Sequence, residues 1–461
     1  MFGHNGDMPL DMDEATLQAW TALGGRPESV TDVSFRTAGE VLPSVLPVRE
    51  LARATVAACS LAAAELLAAR NGGPAPRVRV DEGAVATAFI SERHLRVDGR
   101  KPTPFAPLSG FWRAADGWVR THANYSHHRE RLLDALGIEA DASPETLAAV
   151  LAELPATQIQ ERVYEAGGLA VAVAPAPGRD GPKSQAPPLA EVTAGGEAGR
   201  RRLDAAPLPA TGIRVLDLTR VIAGPVATRT LAFLGADVLR VDSPEMPEDP
   251  DSHLDTGQGK RSTLLNLEML EERRLLESLL DGADVVITGY RPGSLDRLGL
   301  SATQLLTKRP GLVVAQLCAW GWSGPWSQRR GFDSLVQAAT GIAAIEAGED
   351  ERPGALPAQA LDHGTGYLMA AGVLRALTER QVDGRGRHLR FSLAGTASWL
   401  MHDVAPVPAG EGTHDAQEWL TQARSAYGRL RYALSPVRYE GGPEDWRYTA
   451  TRWGTDPAVW L

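Results

Sequence analysis

The chain has 461 residues, of which 43% are apolar and 23% are charged. This is the usual composition of globular proteins, and it excludes a disordered, collagen-like or coiled-coil chain. At about 150 residues per domain, the length predicts roughly three domains or one large two-lobed enzyme. The 57 acidic and 47 basic residues give a net charge of −10, which disfavours a nucleic-acid-binding function.

Cysteine content and the N-terminus predict a cytoplasmic protein. The two cysteines, Cys59 and Cys318, can form neither a disulfide framework nor a cysteine-based zinc site. The acidic N-terminus lacks the long apolar core of a signal peptide. The most apolar stretch, Ala52–Ala69, is short for a membrane span and rich in alanine, which is typical of a buried helix.

Residues 1–172 predict a helix-and-strand segment followed by a small α+β domain. Asp116–Thr121 is predicted as a turn into a strand. Three helices are predicted after it, over Tyr125–Leu136, Ser143–Leu154 and Thr157–Ala166. Residues 173–211 are dense in Pro, Gly and Ala with almost no aliphatic periodicity, which predicts a linker between two modules.

Residues 212–461 predict an α/β core, because apolar strands alternate with helices. The predicted strands are Ile213–Leu218, Val238–Val241, Thr263–Leu267, Val285–Thr288 and Leu312–Leu317. Helices are predicted from Pro225 to Leu234 and over Glu268–Leu280. This alternation favours a Rossmann-like parallel sheet with helices on both faces, whose ligands bind beyond the carboxyl ends of the strands.

Two segments of the chain repeat one pattern. Residues 51–82 and 361–393 each consist of an Ala-rich helix, an arginine, a Gly/Pro turn and an alternating strand. The repetition predicts an internal duplication. Asp362 then stands opposite Ala52, or opposite Leu51 if the register shifts by one residue, so the first copy lacks this carboxylate.

Three loops at the predicted carboxyl edge of the sheet carry amides or cations. Arg220–Pro225 opens a helix whose free amides suit a phosphate group. Gly257–Ser262 contains Lys260 and Arg261, and a third loop contains Arg291. Each loop alone is typical of a surface turn, but together they favour a phosphorylated ligand. Patterns for a metal site, a P-loop and a serine-hydrolase elbow are absent from the sequence.

Asp362 is the strongest single candidate for a catalytic residue. It precedes a His-Gly-Thr-Gly turn and a long apolar stretch. Spacing alone favours a helix N-cap, in which the carboxylate accepts the free amides of the first turn. A carboxylate held in a dry pocket can also act as a covalent nucleophile.

Five ordered blocks resemble the class III CoA-transferases of the CaiB/BaiF type, which include formyl-CoA and carnitine CoA-transferases. The blocks are RVLDLTRVIAGPVATRTLAFLGADVLRVDSP, GQGKRSTLLNL, ADVVITGYRPGSLDRLGLS, LVVAQLCAWGWSGPWSQRRGFDSLVQAATGI and LDHGTGYLMAAGVLRALTERQVDGRGRHLRFSL. They span about Ile213 to Leu400. Leu51–Ala172 resembles another piece of the same family, including a small domain with an Asp-Gly-Trp turn.

The resemblance implies an acyl-CoA:carboxylate CoA-transferase with Asp362 as nucleophile and an aspartyl-CoA intermediate. Backbone amides near Gly364 would stabilise the oxyanions. The residues that would hold CoA are Ile222, Ala223, Gly224, Pro225, Lys260, Arg261 and Arg291. CoA would be substrate and product, with a carboxylic acid as acceptor and with no metal or separate cofactor. The resemblance also implies a homodimer; family members form interlocked dimers, and the residue patterns do not decide whether this dimer is interlocked.

Two alternatives remain open. The related α-methylacyl-CoA racemases carry a His where this chain has Phe332, and racemisation needs a base on each face of the α-carbon, which disfavours that activity. Asp333 and Gln337 match the same block and are interpreted as pocket structure. The small-domain segment precedes the Rossmann-like part, unlike the usual order, and no GGGG loop is present. These departures favour the second alternative, an inactive CoA-binding homologue.

Overall fold

The computed structural model describes residues 13–103, 105–177 and 186–461. The N-terminal segment contains α1 (Glu14–Ala22), β1 (Val33–Arg36), α2 (Val48–Asn71), β2 (Val78–Asp81), α3 (Glu82–Ala88), α4 (Ser91–His94) and β3 (Arg96–Val97). A small unit follows, with β4 (Phe111–Ala114), β5 (Gly117–Thr121), α5 (Ser126–Leu136), α6 (Pro144–Ala152), α7 (Ala156–Glu165) and β6 (Ala170–Ala172).

The larger part of the chain contains the remaining elements. They are β7 (Glu191–Glu197), β8 (Arg214–Leu218), α8 (Ala223–Phe233), β9 (Asp237–Asp242), α9 (Pro250–Thr256), β10 (Arg261–Leu264), α10 (Leu270–Gly282), β11 (Val285–Thr288), α11 (Ala302–Lys308), β12 (Val313–Cys318), α12 (Asp333–Ala339), α13 (Ile342–Ile345), α14 (Ala360–Asp383), β13 (Arg385–Ser392), α15 (Leu393–His402), β14 (Leu420–Ser425) and β15 (Gly428–Ala433). Short 3-10 turns occur at Pro27–Asp32, Asp296–Leu298 and Ala416–Trp419.

The centre of the molecule is a seven-stranded sheet in the order β10-β9-β8-β11-β12-β13-β7. All neighbouring strands are parallel except β7, which pairs with β13 in the antiparallel sense. Every residue of β11 is buried, because apolar clusters cover both faces of the sheet. The predicted α/β class with a Rossmann-like parallel sheet and helices on both faces is therefore confirmed.

Strand β7 lies inside the stretch that the sequence predicts as a linker, so that prediction is wrong for residues 191–197. The strand is a solvent-facing edge, and most of its side chains are exposed, so no hydrophobic alternation marks it in the sequence. Arg70 further anchors the stretch through hydrogen bonds to the carbonyls of Asp204, Leu208, Pro209 and Thr211. Residues 178–185 of the predicted linker lie outside the described residues.

The two segments with a repeated sequence pattern have the same order of elements. A 24-residue helix joins two parallel strands in each, α2 between β1 and β2, and α14 between β12 and β13. The two helices pack against each other in the main apolar core. Helix α2 is long and apolar enough to cross a membrane by length and composition alone, but 83% of its most apolar window is buried inside the structure.

The small unit has an apolar core of its own, formed by β4, β5 and the helices α5, α6 and α7. Its three helices lie within two residues of their predicted bounds. Residues up to Val97, by contrast, contribute to the same main core as the large sheet. The predicted domain bounds at residues 172 and 212 stay a prediction.

Candidate functional site

Asp362 lies in the first turn of α14, at the carboxyl edge of the large sheet. Gln359 occupies the N-cap position, so Asp362 is not the cap that its spacing favours. The backbone amide of Asp362 donates a hydrogen bond of 2.9 Å to Oδ2 of Asp333, and Oδ1 of Asp333 accepts one from the side chain of Gln337. Asp333 and Gln337 therefore hold the start of α14 in place, as the sequence predicts for pocket structure.

The carboxyl group of Asp362 is buried, with 6% of the residue exposed. Burial raises the pKa of Asp362 well above its ordinary range, and the negative charges of Asp333 and Glu92 raise it further. Burial also raises the pKa of Asp333, to about 6, although the amide of Asp362 and the side chain of Gln337 act in the opposite direction. The site thus holds a carboxylate in an environment that disfavours its charge, which is a common property of catalytic groups.

His363, the residue after Asp362, contacts the N-terminal segment of the chain. Nε2 of His363 lies 3.6 Å from Oε2 of Glu92 in α4, and its ring stacks on Phe89 with ring centroids 5.3 Å apart. Sequence reasoning missed Glu92, because α4 has four residues and no motif marks it. The N-terminal segment therefore contributes the charge of Glu92 and the ring of Phe89 to the surroundings of Asp362.

Gly364 and Gly366 allow α14 to approach two other helices closely. A Cβ on Gly364 would lie 2.8 Å from Cδ2 of Leu51 in α2. A Cβ on Gly366 would lie 2.6 Å from the carbonyl oxygen of Ala223 in α8. The structure thus gives Gly364 a packing role, and its predicted part in oxyanion stabilisation stays a prediction.

We expect Gly366→Ala to lower the free energy of unfolding by about 1–3 kcal/mol, because the added methyl group meets the backbone of α8. Without that contact, alanine would stabilise a helix interior. Chemical denaturation of both proteins measures the difference. Gly372→Ala in the same helix is the control, since its Cβ would lie 3.0 Å from a ring edge of Phe391 and should cost less. A Gly366→Ala protein as stable as the wild type would contradict this account.

The predicted loop Ile222–Pro225 leads directly into α8. Ile222 is the N-cap residue and makes no side-chain cap hydrogen bond. The first amide of the helix to bond back is that of Val226, to the carbonyl of Ile222. In the described part of the chain, the amides of Ala223 and Gly224 have no protein acceptor. Since Gly366 brings this turn against α14, the predicted phosphate-binding amides lie close to the helix start that carries Asp362.

Lys260 and Arg261, predicted to bind CoA, are both buried, and each forms an ion pair with an aspartate of the protein. Nζ of Lys260 lies 3.0 Å from Oδ2 of Asp217 and 2.8 Å from Oγ1 of Thr228. Burial lowers the pKa of Lys260 to about 8, although the charge of Asp217 acts in the opposite direction. Arg261 donates to the carbonyl of Val459 and to Asp237. The prediction of a free cationic loop here is wrong, because the C-terminal segment covers this edge of the sheet.

Arg291, the third predicted cation, is solvent-accessible and lines two cavities of about 260 and 250 Å³. Its Nη1 donates a hydrogen bond of 3.0 Å to the carbonyl of Gln328. Arg330 lines the first cavity as well, and Arg131 lies near it. Burial lowers the pKa of Arg330, and the charges of Arg291 and Arg131 lower it further. No carboxylate of the described residues pairs with any of these three guanidinium groups, although Glu161 and Glu165 also line the first cavity and Glu161 pairs with Arg329.

The small unit closes over the carboxyl edge of the sheet. The ring of His122 stacks on Phe332 with centroids 3.8 Å apart and an interplanar angle of 8°. The hydroxyl group of Tyr125 donates to Glu248, and that of Tyr164 donates to the carbonyl of Arg330. Burial lowers the pKa of His122 to about 3, so its imidazole is neutral and a weak base. Among the residues described, no three His, Cys, Asp or Glu side chains form a metal-binding group.

Comparison with known proteins finds a sequence family whose model matches part of the chain. Residues 211–429 match the profile of CoA-transferase family III. Acetyl-coenzyme A transferase nodX of Hypoxylon pulicicidum is 34% identical over 220 residues, which are 46% of this chain and 35% of that protein. The probable fatty acyl-CoA transferase Rv3272 of Mycobacterium tuberculosis is 33% identical over 210 residues, which are 43% and 51%. The formyl-CoA:oxalate CoA-transferase of Streptomyces avermitilis is 34% identical over 194 residues, which are 40% and 47%.

Solved structures give similar partial matches. A crystal structure of Rv3272 matches 41% of this chain and 56% of its own at 32% identity and a TM-score of 0.39. A CaiB/BaiF family protein from Brucella suis matches 48% and 65% at 27% identity and a TM-score of 0.40. The chain spans about half the length of the curated relatives it matches, or less.

Proposed function

We propose that the chain transfers coenzyme A from an acyl-CoA thioester to a carboxylic acid, with Asp362 as the covalent nucleophile, because residues 211–429 match the model of CoA-transferase family III. The observation that supports this best is the placement of Asp362. Its carboxyl group is buried in the first turn of α14, and the charges that act on it come from two other carboxylates. In the described part of the chain no cation pairs with it, so attack on an electrophile removes an unfavourable charge.

The proposed reaction divides the exchange into two similar halves. An oxygen of Asp362 attacks the carbonyl carbon of the thioester, the C–S bond breaks, and CoA leaves as a thiolate. The thiolate attacks the Asp362 carbonyl carbon of the resulting anhydride, the C–O bond breaks, and the donor acid leaves as a carboxylate. Asp362 then carries CoA as a thioester. The acceptor carboxylate runs these two steps in reverse, so that Asp362 is regenerated without net proton transfer.

The described residues offer two features for binding the phosphates of CoA. The free amides of Ala223 and Gly224 lie next to α14, and Arg291 and Arg330, which form no ion pair among the described residues, face a cavity that Glu161 and Glu165 also line. Lys260 and Arg261 do not belong to this proposed site, because both are occupied inside the protein. A cytoplasmic location, expected from the cysteine content and the N-terminus, and an interlocked homodimer, expected from the resemblance, also remain proposals.

Product analysis tests the proposal. Several acyl-CoA donors are mixed with a panel of carboxylic acids, and the acyl-CoA products are identified by mass spectrometry. We expect new CoA esters only when protein, donor and acid are all present, with ping-pong kinetics. The absence of exchange for every pair would contradict the proposal and favour an inactive homologue. Deuterium uptake at the α-carbon without exchange would indicate a racemase.

The raised pKa of Asp362 predicts opposite effects of pH on activity and on stability. The carboxyl group must ionise to attack, so kcat/KM should rise with pH through the elevated pKa. Above about pH 4 the unfolded chain releases this proton more readily than the folded protein. The free energy of unfolding of the wild type should therefore fall relative to Asp362→Asn as pH rises, by up to about 1.4 kcal/mol per pH unit. Urea denaturation of both proteins from pH 5 to pH 8 measures this, and parallel curves would contradict it.

A further inference from the structure

Arg120 lies where the small unit faces the α/β core. It stands in β5, in register with Phe111 of β4 and Val171 of β6, so these three residues share one face of the small sheet. Val171 is fully buried in the main core, whereas Val119 on the opposite face is buried in the core of the small unit. Arg120 therefore belongs to the face that is turned toward the α/β core.

The guanidinium group of Arg120 contacts two aromatic rings and forms no ion pair with the described residues. Its Cζ lies 4.9 Å from the ring centroid of Phe111 and 5.3 Å from that of Phe105. Its Nε is buried and has no hydrogen-bond partner, and no carboxylate of the described residues lies within ion-pair distance. Burial lowers the pKa of Arg120 to about 10, with the charge of Asp333 acting in the opposite direction, so the group is a cation at neutral pH. A largely buried, unpaired cation costs free energy that a bound anion would offset.

A short series of contacts connects this cation with Asp362. His122 lies two residues after Arg120, directly beyond the end of β5, and its ring stacks on Phe332. Asp333 follows Phe332 and accepts the hydrogen bond from the amide of Asp362. Helix α12, which begins at Asp333, packs on β5. Arg120 and Asp362 therefore border the same region between the two units.

We propose that Arg120 binds a second, non-reacting carboxylate of the acid substrate, and that the preferred acids are therefore dicarboxylic. This inference rests on the proposed function. A guanidinium group pairs with a carboxylate through two parallel hydrogen bonds, and the rings of Phe105 and Phe111 limit its rotation. The reacting carboxylate cannot be this partner throughout the cycle, because it loses its charge when it becomes a thioester. A distal carboxylate keeps its charge in both acid and ester.

The test compares dicarboxylic with monocarboxylic acids as CoA acceptors. Wild type, Arg120→Gln and Arg120→Met are assayed with acetyl-CoA as donor and with succinate, glutarate, propionate or butyrate as acceptor. We expect Arg120→Gln to lower kcat/KM for the dicarboxylic acids by about 10- to 100-fold and to leave the monocarboxylic acids within about twofold. Arg120→Met keeps the apolar contacts with the two rings and should show the same loss. Arg113→Gln is the matched control, because Arg113 lies on the same hairpin face, exposed and stacked on Trp118.

The possible outcomes distinguish the inference about Arg120 from the proposed CoA transfer. Selective loss of dicarboxylic acids in both Arg120 variants supports the inference. Equal loss for both classes of acid, or a change in KM for acetyl-CoA alone, overturns it, and the second result would assign Arg120 to CoA phosphate binding. A wild type that transfers CoA without any preference dependent on Arg120 overturns the inference but leaves the proposed function standing. A wild type that transfers CoA to no acid overturns both.

Discussion

Replacing Asp362 by asparagine is expected to lower kcat/KM for CoA transfer by about 10⁴-fold or more, which is the effect of removing a covalent nucleophile. Asparagine has almost the same shape, and the hydrogen bond to Asp333 comes from the backbone amide, so the start of α14 should be unchanged. The loss should appear in kcat and not in the affinity for CoA. Steady-state kinetics with circular dichroism of the folded variant measure both quantities.

Asp333→Asn is the control for this prediction, because Asp333 positions Asp362 without reacting. Replacing the Asp333 carboxylate removes one charge that raises the pKa of Asp362. It also weakens the hydrogen bond that fixes the first turn of α14. We expect a loss of about 10- to 100-fold, with the acid limb of the pH profile moved to lower pH. An Asp362→Asn protein within about tenfold of wild-type activity would show that the nucleophile lies elsewhere.

Replacing Lys260 by alanine is expected to lower the free energy of unfolding by about 3–5 kcal/mol, because it leaves Asp217 as a buried carboxylate without its cation. Among the residues that the structure describes, Asp217 would keep hydrogen bonds from Thr219 and Thr228. Activity per folded molecule should change little, since Lys260 is 2% exposed and cannot reach a ligand in solution. Guanidinium denaturation measures the stability, and titration with CoA measures the affinity.

Lys308→Ala provides a matched control on the same chain. Lys308 also pairs with a carboxylate, Glu277, but both side chains are exposed, so we expect a change below about 1 kcal/mol. If Lys260→Ala instead retained full stability and weakened CoA binding, the lysine would face the ligand, and the C-terminal segment would not cover this edge in solution.

The α/β architecture could be predicted because its strands are short apolar runs between helices of the right length. Runs such as Val285–Thr288, which are short and consist of β-branched residues, favour a strand that is buried on both faces. Strand β7 could not be predicted, because an exposed edge strand needs only backbone pairing and carries no apolar pattern. The covering of β10 by residues near the C-terminus depends on contacts across almost 200 positions, which local patterns do not encode.

The candidate site likewise contains features that the sequence could predict and features that it could not. The positions of Asp362 and of the turn before α8 at the start of a helix could be predicted because each depends on a local sequence motif, while their roles stay predictions. The burial of Lys260 beside Asp217 could not be predicted, since a lysine in a Gly-flanked loop resembles a surface turn whether or not a carboxylate lies beside it. Glu92 was missed because its short helix carries no motif, and Arg120 and Arg330 were missed because they lie inside predicted segments whose pattern does not mark them as site residues. Their shared signal, a buried or unpaired charge, appears only in three dimensions.

Trapping the covalent intermediate tests the central claim most directly. The protein is incubated with an acyl-CoA donor, treated with hydroxylamine, digested, and mapped by mass spectrometry. We expect a hydroxamate on Asp362 in the peptide that begins α14, dependent on the donor and absent from Asp362→Asn. A hydroxamate at another carboxylate, or efficient CoA transfer with no hydroxamate at all, would contradict the assignment of Asp362 as the nucleophile.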